Sequence, residues 1–131
     1  MIVQGKVGIG TTGPSYNLDV NGTTRSKGII ETIVAGGTCS TSYTIDPTTG
    51  TMVTLTLNGA CAISVTNLAA GQSFSVNLTQ SSTTAPTFSG TFKWPAGTAP
   101  TWSTAATKYD VIACASFDGT SLQCTGMIDE R

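Results

Sequence analysis

Histidine is absent from the chain, which removes the commonest general base and the commonest metal ligand. Charged residues make up only 10% of the 131 positions, against about 25% in an ordinary soluble domain. The four Lys and two Arg stand singly. They build no basic stripe of the kind that binds nucleic acid by releasing counterions. Strong helix formers are scarce, which excludes a helical bundle. No apolar run approaches the roughly 18 residues of a membrane span. The opening residues (MIVQGKVGIG) lack the charged region and apolar core of a signal peptide. Together these absences imply a protein made in the cytoplasm, with no membrane or nucleic-acid partner, no cofactor and no metal.

Thr (25), Ser (13) and Gly (15) together supply 40% of the chain. Thr and Val favour strands. A 39% hydrophobic content with a net charge of −1 is the reverse of the signature of disorder. The length suits one domain with a short appendage.

Period-two alternation dominates from about residue 39 onward. Val53, Leu55 and Leu57 alternate with polar residues, Asn58-Gly59 follows, and Cys61, Ile63 and Val65 alternate again. Asn-Gly between two such runs predicts a tight hairpin. Phe74, Val76 and Leu78 form a third run, and Phe88, Phe92 and Trp94 a fourth that Gly90 can bend. Tyr109, Val111, Ala113, Ala115 and Phe117 form a fifth, which returns after Asp118-Gly119 through Leu122 and Cys124. The expected fold is all-β: an antiparallel, jelly-roll-like β-sandwich over 39–131.

Residues 1–38 read differently. Short apolar pairs, among them Ile2-Val3, Val7 with Ile9, and Leu18 with Val20, are separated by Gly, Pro14 and Asn21-Gly22. No stretch here can bury both faces within one chain, so the segment is expected to pack on further copies; the alternative is that its strands add to the main sandwich. Ile2, Val3, Val7, Ile9, Leu18 and Val20 are the candidates for a trimer or attachment interface.

Catalytic motifs are weak. Gly8-Ile9-Gly10-Thr11-Thr12-Gly13 matches the dinucleotide fingerprint, but Pro14, Asn17, Asn21 and Gly22 prevent the helix whose amides would hold a pyrophosphate. Asp46 and Asp118 read as turn residues, and Asp129 and Glu130 lie in the tail. Asp19, Glu31 and Asp110 show no recognisable partner pattern, so no enzyme is expected. The stretch from Phe92 to Trp102 places two Trp around a Pro/Gly loop. Trp94 and Trp102 are therefore either a stacking platform for sugar or protein, or a cover for the core.

Two stretches resemble tailed-phage virion proteins. Lys6-Val7-Gly8-Ile9-Gly10-Thr11-Thr12-Gly13-Pro14, followed by Leu18-Asp19-Val20-Asn21-Gly22, resembles a module of phage fibres and adhesin stalks. The resemblance implies short strands that intertwine in a homotrimer. Trp94-Pro95-Ala96-Gly97-Thr98-Ala99-Pro100, with Lys108-Tyr109-Asp110-Val111-Ile112 and Phe117-Asp118-Gly119-Thr120, is similar to a small β-domain of fibre ends and virion decoration proteins. Leu122-Gln123-Cys124 stands where that domain often ends on an aromatic. The resemblance covers about half the chain. It implies a non-enzymatic structural protein of the bacteriophage virion, assembled in the host cytoplasm. Capsid decoration (cement protein) or a short head fibre, bound to the major capsid or another virion protein, suits a chain of this length. The alternative is a tail-fibre tip or adhesin that binds a host glycan.

Cys39, Cys61, Cys114 and Cys124 fit no zinc spacing, and a reducing cytoplasm favours free thiols. Cys114 and Cys124 flank the Asp118-Gly119 turn. A two-residue loop would put them on opposite faces. A three-residue loop would put them on one face, diagonally if Ser116 faces Thr120 or directly opposite if Phe117 faces Ser121. The diagonal register is expected, with Cα atoms near or beyond the roughly 7 Å limit for a bridge, and hence four reduced thiols.

Overall fold

A computed structural model describes residues 3–130, with the backbone alone for Asp129 and Glu130; Ile2 lies outside the described residues. The strands are β1 (Val7–Ile9), β2 (Leu18–Val20), β3 (Ile33–Cys39), β4 (Ser42–Ile45), β5 (Met52–Leu57), β6 (Ala62–Val65), β7 (Ser73–Gln80), β8 (Thr87–Phe88), β9 (Phe92–Lys93), β10 (Tyr109–Ala115) and β11 (Leu122–Glu130). The fold is all-β, as the alternation requires.

The chain divides into two units at Ile30/Glu31. This corrects the expected division after residue 38, because β3 pairs in parallel with β5 and belongs to the larger unit. The reason is visible in the burial pattern. Cys39 is buried and Val34 packs on the core, so this segment has an inner face to cover.

In the larger unit a six-stranded sheet, β3-β5-β7-β10-β11-β9, packs on a three-stranded one, β4-β6-β8. The two-sheet architecture is the one expected, but the sheets are not purely antiparallel. The pairs β3/β5, β5/β7, β4/β6 and β6/β8 are all parallel. Each of the first three strands of the large sheet is followed by a corner and a strand of the small sheet. The chain thus forms three two-strand coils stacked like a short β-solenoid, in which each coil contacts only its neighbours. Asn58-Gly59 is one of these corners and not a hairpin turn. The Asn58 amide bonds to Cys39 O at 2.8 Å, and the Gly59 amide to Ser82 Oγ at 3.0 Å, tying the corner to the coils on both sides. Gly59 has φ +131°, and a Cβ there would lie 3.0 Å from Ser40 O, so the stacking itself demands glycine.

The hairpin expected around Asp118-Gly119 forms as β10–β11, pairs antiparallel with β7 and ends the parallel stack. The alternating run Tyr109, Val111, Ala113, Ala115 and Phe117 lies on its outer face, and Asp110, Ile112, Cys114 and Ser116 face the core instead. The core lies between the sheets. Val53, Leu55 and Leu57 from β5, Val76 and Leu78 from β7, and Ile112 and Leu122 face Ile45, Cys61 and Ile63. All are at most 3% exposed.

All four cysteines are bonded: Cys39 to Cys61 and Cys114 to Cys124. This overturns the expectation of four thiols. Ala115 faces Gln123 and Cys114 faces Cys124, so Phe117 stands across from Ser121, and the loop is Asp118-Gly119-Thr120. The direct register, not the diagonal one, places the Cys114 and Cys124 Cα atoms 4.2 Å apart. Asp118 selects it. Its carboxylate accepts the Thr120 and Ser121 amides, each at 2.8 Å, and the Ser121 hydroxyl at 2.8 Å. Cys39, at the end of β3, bridges Cys61, just before β6, over a Cα separation of 5.7 Å.

Candidate functional site

The smaller unit is held by little. β1 and β2 pair in parallel through three residues each, with Val7 beside Leu18 and Ile9 beside Val20. The Val7 amide bonds to Asn17 O at 2.8 Å, and the Asn21 amide to Ile9 O at 2.9 Å. Gly10 has φ +73°, and a Cβ there would lie 2.9 Å from Asn21 O, so its backbone must pass close to the partner turn. The Asp19 carboxylate accepts the Ser15 amide at 2.8 Å and closes the connection between the strands. Among residues 3–30, none is buried. Val3 is 48% exposed, Ile9 56% and Leu18 61%, while Val7 and Val20 are partly covered. The structure brings Val7, Ile9, Leu18 and Val20 together on one strand pair. Ile29 (80%) and Ile30 (102%), another of the segment's apolar pairs, add exposed apolar surface, as does Tyr16 (72%), which the sequence pattern did not single out.

Trp94 and Trp102 lie in the larger unit. Trp102 is only 8% exposed and belongs to the core, so of the two readings open for it the core cover holds and the surface contact does not. Trp94 is half-buried against the same cluster. The rings meet edge-on with centroids 5.4 Å apart, and Phe88 packs on both, at 5.2 Å from Trp94 and 4.9 Å from Trp102. Trp94 meets both Phe88 and Trp102 edge-to-face, a favourable arrangement for rings covering a core, while Phe88 and Trp102 are tilted. The reason lies in the connection after β9. A short 3-10 turn at Pro95–Gly97 turns the chain, and the Asp110 carboxylate then holds the Ser103 amide at 2.8 Å and its hydroxyl at 2.7 Å. Trp102, next to this anchor, is pinned over the end of the sandwich.

The described acidic side chains are engaged in turns and pairings. Asp46 accepts the Thr48 hydroxyl at 2.6 Å, the Asn67 amide at 2.8 Å and the Thr48 backbone amide at 3.0 Å. These hold its carboxyl below the ordinary range, the Thr48 hydroxyl most of all. Glu31 accepts the Thr51 hydroxyl. The backbone amides of Ser121, then of Thr120, hold Asp118 well below its ordinary value, with the Ser121 hydroxyl adding to them. Asp46 and Asp118 thus serve the turns the sequence assigned them to, while Asp110 anchors a loop that no spacing rule could have indicated.

The outer face of the six-stranded sheet also carries apolar side chains. Ile33, Met52 and Val111 line a groove of about 280 Å³ there, together with Thr54, Ser75 and Asn77. No helix among the described residues is long and apolar enough to cross a membrane. No family model, curated protein or solved structure matches the chain.

Proposed function

We propose that the chain is a non-enzymatic structural protein of a bacteriophage virion, a homotrimeric capsid decoration protein or short head fibre. One observation carries this reading: residues 3–30 form hydrogen-bonded strands yet include no buried residue. A two-stranded pair of this size is not stable alone in water. The apolar side chains of Val7, Ile9, Leu18 and Val20 must find their cover on other molecules, and winding three copies together supplies it. The resemblance of Val7–Pro14 and Leu18–Gly22 to the fibre module favours the same arrangement.

The virion partner is a major capsid or other particle protein, met through apolar and hydrogen-bonded contacts. With charged residues at 10% of the chain, ion pairs have little to contribute. Attachment should therefore survive an increase in salt from about 0.05 to 0.5 M, across which the Debye length shrinks severalfold. The alternative is a tail-fibre tip or adhesin that binds a host glycan; the packing of Trp94 and Trp102 on each other and on Phe88 leaves it less support than an open aromatic platform would.

Light scattering of the full chain tests the assembly. A mass three times that of the chain is expected, and a monomer at micromolar concentration would refute it. Labelled chain imaged on intact particles by electron microscopy tests the location. Label over the capsid surface supports decoration, and label confined to the tail overturns it.

A further inference from the structure

Asn-Gly is the dipeptide most prone to modify itself, because the glycine amide can reach its neighbour's side-chain carbon with no Cβ in the way. The chain holds two, Asn21-Gly22 and Asn58-Gly59, and their surroundings are opposite. Asn58-Gly59 is clamped. The Gly59 amide, which would be the nucleophile, donates to Ser82 Oγ at 3.0 Å, and the Asn58 amide donates to Cys39 O at 2.8 Å. A Cβ at Gly59 would lie 3.0 Å from Ser40 O, so the corner has little room to turn. It also lies inside the loop closed by the Cys39–Cys61 bridge. Asn21-Gly22 directly follows β2, and both residues are exposed. The Gly22 amide has no hydrogen-bond partner among the described residues, and nothing stands within 4 Å of where a Cβ would be. The Asn21 side chain has one tether among them: Nδ2 donates to Gly10 O over 3.2 Å, at the long limit for such a bond.

We propose that Asn21 is a modification site, at which the Gly22 amide nitrogen attacks Asn21 Cγ and the side chain deamidates. The N–Cγ bond forms as the Cγ–Nδ2 bond breaks, and Nδ2 leaves as ammonia, taking the amide proton. One water then opens the cyclic imide at either carbonyl, leaving aspartate or isoaspartate at position 21. Either product puts a new negative charge beside Gly10. In the aspartate, a carboxylate oxygen replaces the Nδ2 donor that faced Gly10 O, so two acceptors meet. In the isoaspartate, the backbone carbonyl of residue 21 becomes the carboxylate, and the main chain gains a methylene. That carbonyl oxygen is the atom that a Cβ on Gly10 would approach to 2.9 Å. Both products loosen the β1–β2 pair, which is only three residues long on each strand. The effect on assembly rests on the homotrimer of the proposed function: three copies wound together bring three new carboxylates near one another, and like charges repel. Deamidation of Asn21 is then an irreversible timer on the trimer. The chemistry itself does not depend on that reading.

The test ages the full, folded chain in neutral buffer and maps aspartate and isoaspartate in its proteolytic peptides by mass spectrometry. Asn21 should convert roughly tenfold faster than Asn58, because the clamped corner must first open locally. In the reduced, denatured chain both dipeptides are free, and the two rates should come within about twofold of each other. Equal rates in the folded chain overturn the proposal. So does an Asn21 that stays intact over the time in which the denatured chain converts both. Light scattering of Asn21→Asp over a concentration series reads the consequence, with Thr98→Glu, one added charge on an exposed loop, as the control. Asn21→Asp should dissociate at concentrations severalfold higher than wild type and control, and dissociation at the same concentration overturns the timer. A monomeric wild type overturns the homotrimer, while the peptide map still decides the modification.

Discussion

Removing the Cys39–Cys61 bridge by the double substitution Cys39→Ala/Cys61→Ala should cost much of the stability of the larger unit. The bridge spans 22 positions and joins the end of β3, in the first coil, to the residue before β6, in the second. Loop-closure entropy for a chain segment of that length corresponds to about 3.4 kcal/mol at 25 °C. For a unit of this size, with roughly 4–5 °C of Tm per kcal/mol, that is a fall of about 15 °C. Both sulfurs are buried, at 3% and 0% exposure, so the substitution leaves the surface unchanged. The Cys114–Cys124 bridge spans 10 positions, and the same relation gives about 2.7 kcal/mol for its loss. The assay is thermal unfolding of the full chain by circular dichroism, paired with thiol titration under denaturing, non-reducing conditions. Wild type should titrate no thiols, and each double variant should titrate none while unfolding at the lower temperature. A wild-type count of four thiols, or a Cys39→Ala/Cys61→Ala Tm within about 3 °C of wild type, would refute the reasoning, because the first coil would then be held by stacking alone.

Three further outcomes follow from particular groups. Gly10→Ala forces a side chain into a positive-φ position within 2.9 Å of Asn21 O; it should separate β1 from β2 and lower the trimer fraction in light scattering, and an unchanged mass distribution would show that the strand pair is dispensable. Asp110→Ala removes the acceptor for the Ser103 amide and hydroxyl; about 2–4 kcal/mol should be lost in urea unfolding, with a red shift of Trp102 fluorescence before the global transition, and unaltered fluorescence would mean that Trp102 is held by ring packing alone. The Asp118 carboxyl should titrate well below the ordinary 3.8 when followed by NMR. Because its folded value is depressed, the turn's contribution to stability is complete above that ordinary value and is lost as pH falls through the folded one; a midpoint near 3.8 would mean that the Ser121 and Thr120 amides do not hold it.

Alternation was enough to determine the all-β class and the inward set of β5 and β7, Val53, Leu55, Leu57, Val76 and Leu78, because which face a strand residue occupies depends only on parity. On β10 it selected the wrong parity, since Tyr109, Val111, Ala113, Ala115 and Phe117 turn outward while Asp110, Ile112, Cys114 and Ser116 face in. The hairpin around Asp118-Gly119 was legible for the same reason, with turn residues set between two alternating runs. That residues 3–30 bury nothing could likewise be read from broken apolar pairs, although the reading ran on to residue 38 and so took in β3, which the large sheet claims. Parity is silent on which strand lies beside which. Parallel and antiparallel partners present the same faces, so Asn58-Gly59 read as a hairpin until the stacking of its corner on Ser40 and Ser82 made it a step between sheets. Register decided the cysteines. A shift of one position at the Asp118 turn separates a diagonal pair from one 4.2 Å apart, and the hydrogen bonds of a single carboxylate chose between them. The burial of Trp102 and the role of Asp110 depend on a loop crossing the end of the sandwich, a long-range arrangement with no local period. Only the packed chain brings those groups together.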